Sequence, residues 1–323
     1  MAQTNGQSLP TIPWRSVGAK VEGLMTAREA LEKGGLNWNV EKVPAFARFE
    51  GKMVPIPNKY SLVRTTDGYP LGVVGRDYQP VQNVDALNFM DSLTRTNEAV
   101  YESAGQFNGG RIVWMTARIP TNGSELDPVE KYLLLVTSHD GSYPIIAAAI
   151  ALRIWCANQI QAAIRKAKNR FRIRHTTNVE QKIEEARITL AKSLQYFHAV
   201  DDVYDKMKGV KFTEGQLITL VENVFSAGDE KKSDRQITRL ENITEKVVEL
   251  SKIGKGTHLP GVKGTAWGAF NAVTEYLDHY TTIKGGKGIS AEEKQLNSVW
   301  FGTVADKTQR AFDETLKIAK LAA

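Results

Sequence analysis

Seven cations crowd one stretch of this chain: Arg153, Arg165, Lys166, Lys168, Arg170, Arg172 and Arg174, with His175 closing the series. No acidic residue lies between Asp140 and Glu180, and acids return only at Glu180, Glu184 and Glu185. A one-sign island in a chain of otherwise mixed charge is the electrostatic footprint of a polyanion site. If Arg170 to Arg174 is extended, its three arginines share one face at about 6.6–6.8 Å spacing, while Phe171 and Ile173 point to the core. An extended nucleic-acid strand spaces its phosphates at roughly up to twice the ~3.4 Å rise per strand of B-DNA, so the arginines can track successive phosphates. The planar guanidinium fork also grips phosphate bidentately. Arg165, Lys166 and Lys168 extend the stripe from the end of a preceding helix. The plainer alternative is a solvated basic face, or arginines paired with carboxylates elsewhere.

Other chemistry is thin. Gly254-Lys255-Gly256-Thr257 and Lys284-Gly285-Gly286-Lys287-Gly288 both fail the spacing of a phosphate-binding G-x-x-x-x-G-K-[ST] loop and read as basic loops. The histidines at 139, 175, 198, 258 and 279 are scattered, and Cys156 is the only cysteine. No nucleophile–base set and no metal-ligand spacing assembles, so the expectation is a non-enzymatic protein without metal or cofactor. Trp155, Trp114, Phe107, Tyr101 and Phe171 could stack on bases, but core packing is the better reading for each.

The chain has 323 residues, 42% hydrophobic and 24% charged, with a net charge of +6. That suits a globular protein with a real core. The longest apolar run, Ile145 to Ile154, contains Arg153 and falls short of the ~20 residues a membrane span needs. The polar start, Met1 to Pro10, lacks a signal core. Together with a lone cysteine, this points to a reducing, cytoplasmic setting and no membrane.

These candidates need a scaffold to position them. Met1 to Pro13 reads as an arm, and Thr26 caps a short helix through Glu32 that Gly34-Gly35 ends. Val43 to Pro57, with its prolines, reads as irregular or edge structure. Tyr60 to Thr66 and Tyr69 to Gly75 form strands around an Asp67-Gly68 turn, and Asn83 caps a helix to about Leu93. Val100 to Phe107 and Arg111 to Ile119 flank Asn108-Gly109-Gly110, a hairpin signal. Tyr132 to Thr137 suits a buried strand. Ile145 to Lys168 is alanine-rich and favours helix. Helices are also expected over Asn178 to Ala199, Thr213 to Phe225, Thr238 to Ser251, Thr265 to Tyr280 and Ala305 to Leu321. Ser226 to Gln236 reads as a linker. The expected fold is α+β: an antiparallel, hairpin-rich sheet packed on helices, then a mainly helical C-terminal region. Its expected parts are an arm and short helix (1–58), a nucleic-acid-binding core (59–205) and the helical region (206–323).

Six segments, in order, carry a resemblance. They are Pro13-Trp14 with Val17-Gly18; Gly35-Leu36-Asn37-Trp38; Leu71 to Tyr78 with Pro80 to Asn83; Arg153 to Asn158; Arg174-His175-Thr176; and Gly264 to Trp267 with Asn271 to Tyr276. Together they resemble a phage/plasmid-like family associated with lateral gene transfer, a domain of unknown function. Trp155 departs from the pattern, which has a smaller aliphatic residue there. More distantly, the chain is similar to single-strand annealing proteins of the Red-beta and RecT kind, by analogy of fold. The resemblance implies a mobile-element protein in a host bacterial cell. It would bind single-stranded DNA in recombination, as a homo-oligomeric ring or helical filament, beside a partner nuclease or single-strand-binding protein. The rivals are a duplex binder for replication or plasmid upkeep, and an interaction protein that blocks a host defence.

Overall fold

The structure, a computed structural model, describes residues 14, 17–23, 26–87, 90–91, 99–120, 129–153, 158–160, 171–173, 175, 201–226, 233–281, 285 and 289–321. Its first elements are β1 (Ala19–Gly23), α1 (Ala27–Lys33), β2 (Val40–Phe49), β3 (Lys52–Arg64), β4 (Pro70–Gly75) and α2 (Asn83–Leu87). Then come β5 (Val100–Phe107), β6 (Ile112–Ile119), β7 (Val129–Ser138), β8 (Ile145–Arg153), β9 (Asn158–Ile160) and β10 (Phe171–Ile173). The C-terminal part holds α3 (Glu214–Phe225), α4 (Asp234–Ile253), α5 (Ala266–Glu275), α6 (Ala291–Phe301) and α7 (Thr303–Ile318). The fold is α+β with antiparallel sheets and a helical C-terminal region.

The larger sheet runs β1-β5-β6-β7-β8-β10, with β9 also on the outer edge of β8. Its centre is buried on both faces, so β6 and β7 are near-continuous apolar runs rather than alternating ones. On one face Gly105 and Val136 flank Trp114 in register. A Cβ at Gly105 or Gly18 would sit 2.5 or 2.4 Å from that indole, so both positions must be glycine-sized. Trp300 of α6 closes over the same ring at 5.2 Å and over Phe107 at 5.9 Å, fixing the helical region to the sheet. On the other face Gly34, at the end of α1, abuts Ala104. The Thr26 capping box with Glu29 starts α1, as its residue types predict.

In the helical region α5 is buried all round. Such a helix belongs at the centre of a bundle, and α4 and α7 pack against it. The Thr213–Gln216 capping box starts α3 as expected. α4 begins at Asp234, inside the segment expected to be a linker, because Ser233 and Gln236 cap it. One hydrophobic core joins Trp14 to Leu316. The boundary expected after residue 58 falls inside β3, and the one after residue 205 falls inside helical turns at residues 201–209.

One expectation fails and another holds in one of its alternatives. The alanine-rich start of the expected Ile145–Lys168 helix is β8, hydrogen-bonded along one edge to β7 and along the other to β10 and β9. Sheet pairing and the burial of Ile145, Ile146 and Ile150 outweigh alanine's helix preference there. Of the two readings of Val43–Pro57, irregular or edge structure, the second holds: the segment is the body of a long β2–β3 hairpin, with β2 at the edge of its sheet. Glu50 (φ 47°) and Gly51 (φ 80°) make its two-residue turn, with the paired positive φ angles that hairpins favour. The segments 161–170 and 176–200 lie outside the described residues.

Candidate nucleic-acid interface

The basic run meets the fold at β10. Phe171, Arg172 and Ile173 pair in register with Ala147, Ile146 and Ile145, making β10 the edge strand beside β8. A strand is what the Arg170–Arg174 alternation predicts. Arg165, Lys166, Lys168, Arg170 and Arg174 lie outside the described residues, and for Arg172 only the backbone position is described.

Beyond β10, His175 anchors the chain inward. Its ring stacks on Tyr78 at 4.8 Å and 14°, and its carbonyl accepts from the Gln79 N–H at 3.1 Å. Tyr78 donates in turn to the Ser138 carbonyl at 2.8 Å, and burial raises its phenol above the usual range. Beside them His139 shares a 2.8 Å hydrogen bond with Asn83 and packs edge-on against Trp38. Burial drives His139 down to about 3, helped by the nearby His175. Burial also drives His175 down to about 4, with a Gln79 backbone contact opposing it. Both rings are neutral near pH 7. His175 is therefore a buried clamp, not the exposed nucleic-acid-binding residue that the sequence expects at the end of the basic run.

Arg153 is the second correction. It ends β8 fully buried rather than facing a ligand. Its Nη1 and Nη2 donate to the carbonyls of Lys255 and Gly256 at 3.3 and 3.2 Å, and its guanidinium lies 5.9 Å from the Trp267 ring. Glu275 accepts the Lys255 N–H at 3.1 Å, and burial raises its pKa against the pull of Lys255, Arg153 and Lys246. The Gly254–Thr257 turn is thus an acceptor nest for Arg153. The arginine ties the sheet to the helical region.

Trp114, Phe107 and Tyr101 are core residues, as favoured above. Trp155 lies outside the described residues. Two of the exposed aromatics, Phe46 and Phe49, are on the β2–β3 hairpin. Beyond the Lys59–Gly75 pair β4 stops, and the hairpin continues as two strands. Opposed pairs share a face. Phe46–Pro55 and Arg48–Met53 therefore make one face, and Ala47–Val54 and Phe49–Lys52 the other. Phe49 and Met53 are 68% and 63% exposed, so both faces offer apolar groups beside a cation. The Glu50-Gly51 turn is legible in the sequence, but Pro44, Pro55 and Pro57 mask the strands around it. Among the described residues no cluster of three His, Cys, Asp or Glu could hold a metal. No helix there is long and apolar enough to cross a membrane.

A family model described as "Domain of unknown function (DUF932)" matches residues 70–300. No curated protein and no solved structure matches the chain.

Proposed function

Because this chain belongs to the DUF932 family, a domain family without an assigned function, its role must come from its own residues, and we propose that it binds single-stranded DNA and anneals complementary strands. One observation carries this reading. The middle of the one-sign basic run, Phe171–Ile173, is the edge strand β10, so the run meets the fold at the margin of the sheet. Arg165, Lys166, Lys168, Arg170, Arg172 and Arg174 then form a phosphate rail, and the bases stay free to test pairing. His175 and Arg153 serve it indirectly, the first by anchoring the end of the rail and the second by bracing β8.

The protruding hairpin supports assembly into a homo-oligomer. A two-stranded ribbon with apolar groups on both faces is marginal alone in water and gains by being covered. Its prolines remove backbone donors, so contact through side chains is favoured over strand addition. The chain needs no covalent chemistry for this work. The test is a fluorescence annealing assay with complementary oligonucleotides, with electron microscopy of the same samples. Accelerated annealing with rings or filaments on single strands is the expected result. A chain that binds duplex in preference to single strands at matched salt would overturn the reading in favour of a duplex binder.

A further inference from the structure

Away from β10, the helical region carries a cluster of positive charge that the strand-binding reading does not use. A cavity of about 110 Å³ opens between α3, α4 and α7, lined by Phe225, Ser226, Gln236, Arg239, Ile243 and Lys307. That is well above the roughly 10–15 Å³ that one water needs. Lys307 is half-buried, with its Nζ 4.9 Å from the centre of the Phe225 ring. Burial first, and then Arg239 and Arg310, hold its ammonium below the ordinary lysine value. Three cations therefore share one neighbourhood. The ion pairs of these helices among the described residues are Lys246–Glu249, Lys252–Glu214 and Lys317–Glu314, and none involves Arg239, Lys307 or Arg310. Like charges brought together at a partly dehydrated lysine cost free energy unless an anion joins them.

We propose that this cleft is a binding site for a phosphate-type oxyanion, held by Arg239 and Lys307 at the cavity and by the field of Arg310 beside it. The charge and the donor set define the ligand. Arg239 offers a planar fork suited to two oxygens, Lys307 a point charge, and Gln236 and Ser226 neutral polar groups at the wall. A multiply charged tetrahedral anion answers three cations better than a single carboxylate does. Phe225, Leu240 and Ile243 give the cavity an apolar wall against the half-buried Lys307, while Arg239 and Arg310 reach it from the exposed side. The phosphate can come from a free phosphorylated small molecule, or the same charge can be supplied by neighbouring singly charged phosphodiesters of a nucleic-acid strand. None of the cleft's lining residues belongs to the β10 rail, and the proposal does not depend on that rail.

The test titrates sodium phosphate into the full chain by calorimetry at constant ionic strength, with a fluorescein-labelled oligothymidine as competitor. Wild type is expected to bind one phosphate, and the Arg239→Gln/Lys307→Gln variant to bind it at least tenfold more weakly. The charge-keeping Lys307→Arg variant should bind like wild type, and it guards against misfolding as the cause of any loss. Competition by oligothymidine assigns the site to strand phosphates. Phosphate binding that oligothymidine leaves untouched assigns it to a small ligand. Absence of phosphate binding by wild type, or equal binding by wild type and the double glutamine variant, overturns the proposal. Replacing Arg170, Arg172 and Arg174 should leave this titration unchanged, so failure here and failure of the strand-binding reading are told apart.

Discussion

Arg153 Nη2 donates to the carbonyl of Gly256 across 103 residues of sequence, at 3.2 Å. That bond and its neighbour to Lys255 link the last residue of a sheet strand to a turn of the helical region. Replacing Arg153 by alanine leaves two carbonyls without their donor, uncovers Trp267 and removes one of the cations that act on Glu275. The expected cost is about 3 kcal/mol. Urea denaturation checks it, and lysine should rescue only in part because it lacks the fork. Strand affinity measured well below the melting point should be unchanged, since the guanidinium is buried.

The buried histidines set an acid limit. Their folded values, about 3 for His139 and about 4 for His175, lie below the unfolded value of about 6.5. The unfolded chain therefore binds more protons below pH 6.5. The stability each neutral ring contributes is complete above that pH and is lost as pH falls toward the folded value. Between pH 7 and pH 4.5 each histidine should remove roughly 2 kcal/mol. Melting curves across this range check it. His139→Gln, which can still bond Asn83, should flatten the slope by about half.

The indole of Trp114 leaves no room at two glycines. Gly105→Ala puts a methyl 2.5 Å from its ring, and neither the strand nor Trp300 can retreat freely. The expected destabilisation is about 2 kcal/mol, read as a lower melting temperature. Gly105→Ala/Trp114→Phe should recover part of it, because the smaller ring vacates the space.

The hairpin should behave in the opposite way. Phe46, Phe49 and Met53 touch solvent, so a triple serine variant should melt within about 0.5 kcal/mol of wild type. Assembly, followed by light scattering with and without oligonucleotide, should fall sharply. A variant that assembles like wild type would remove the hairpin from the account.

What could be read in advance follows from where the controlling physics is local. The Thr26 and Thr213 capping boxes and the Asn108-Gly109 hairpin are set by neighbours a few residues apart, and each appears where the residue types predict. Ile145–Arg153 does not, because its state is decided by β7, β9 and β10, partners as distant in sequence as Ile173 opposite Ile145, and not by its own alanines. The hairpin was obscured by prolines that tolerate a two-stranded ribbon but look like strand breakers in sequence. Within the basic run, charge alone cannot separate the buried Arg153 from a surface arginine. The carbonyls that hold it belong to a glycine turn a hundred residues on.

The central claim is a phosphate rail at the β10 margin, and salt dependence tests it most directly. Binding of a labelled oligothymidine should weaken with salt along a log–log slope of about −4 if the six cations from Arg165 to Arg174 each neutralise one phosphate. With Arg170, Arg172 and Arg174 all changed to alanine, the slope should fall to about −2, with affinity reduced alike for every sequence tried. Wild-type affinity and wild-type slope in that triple variant would contradict the account.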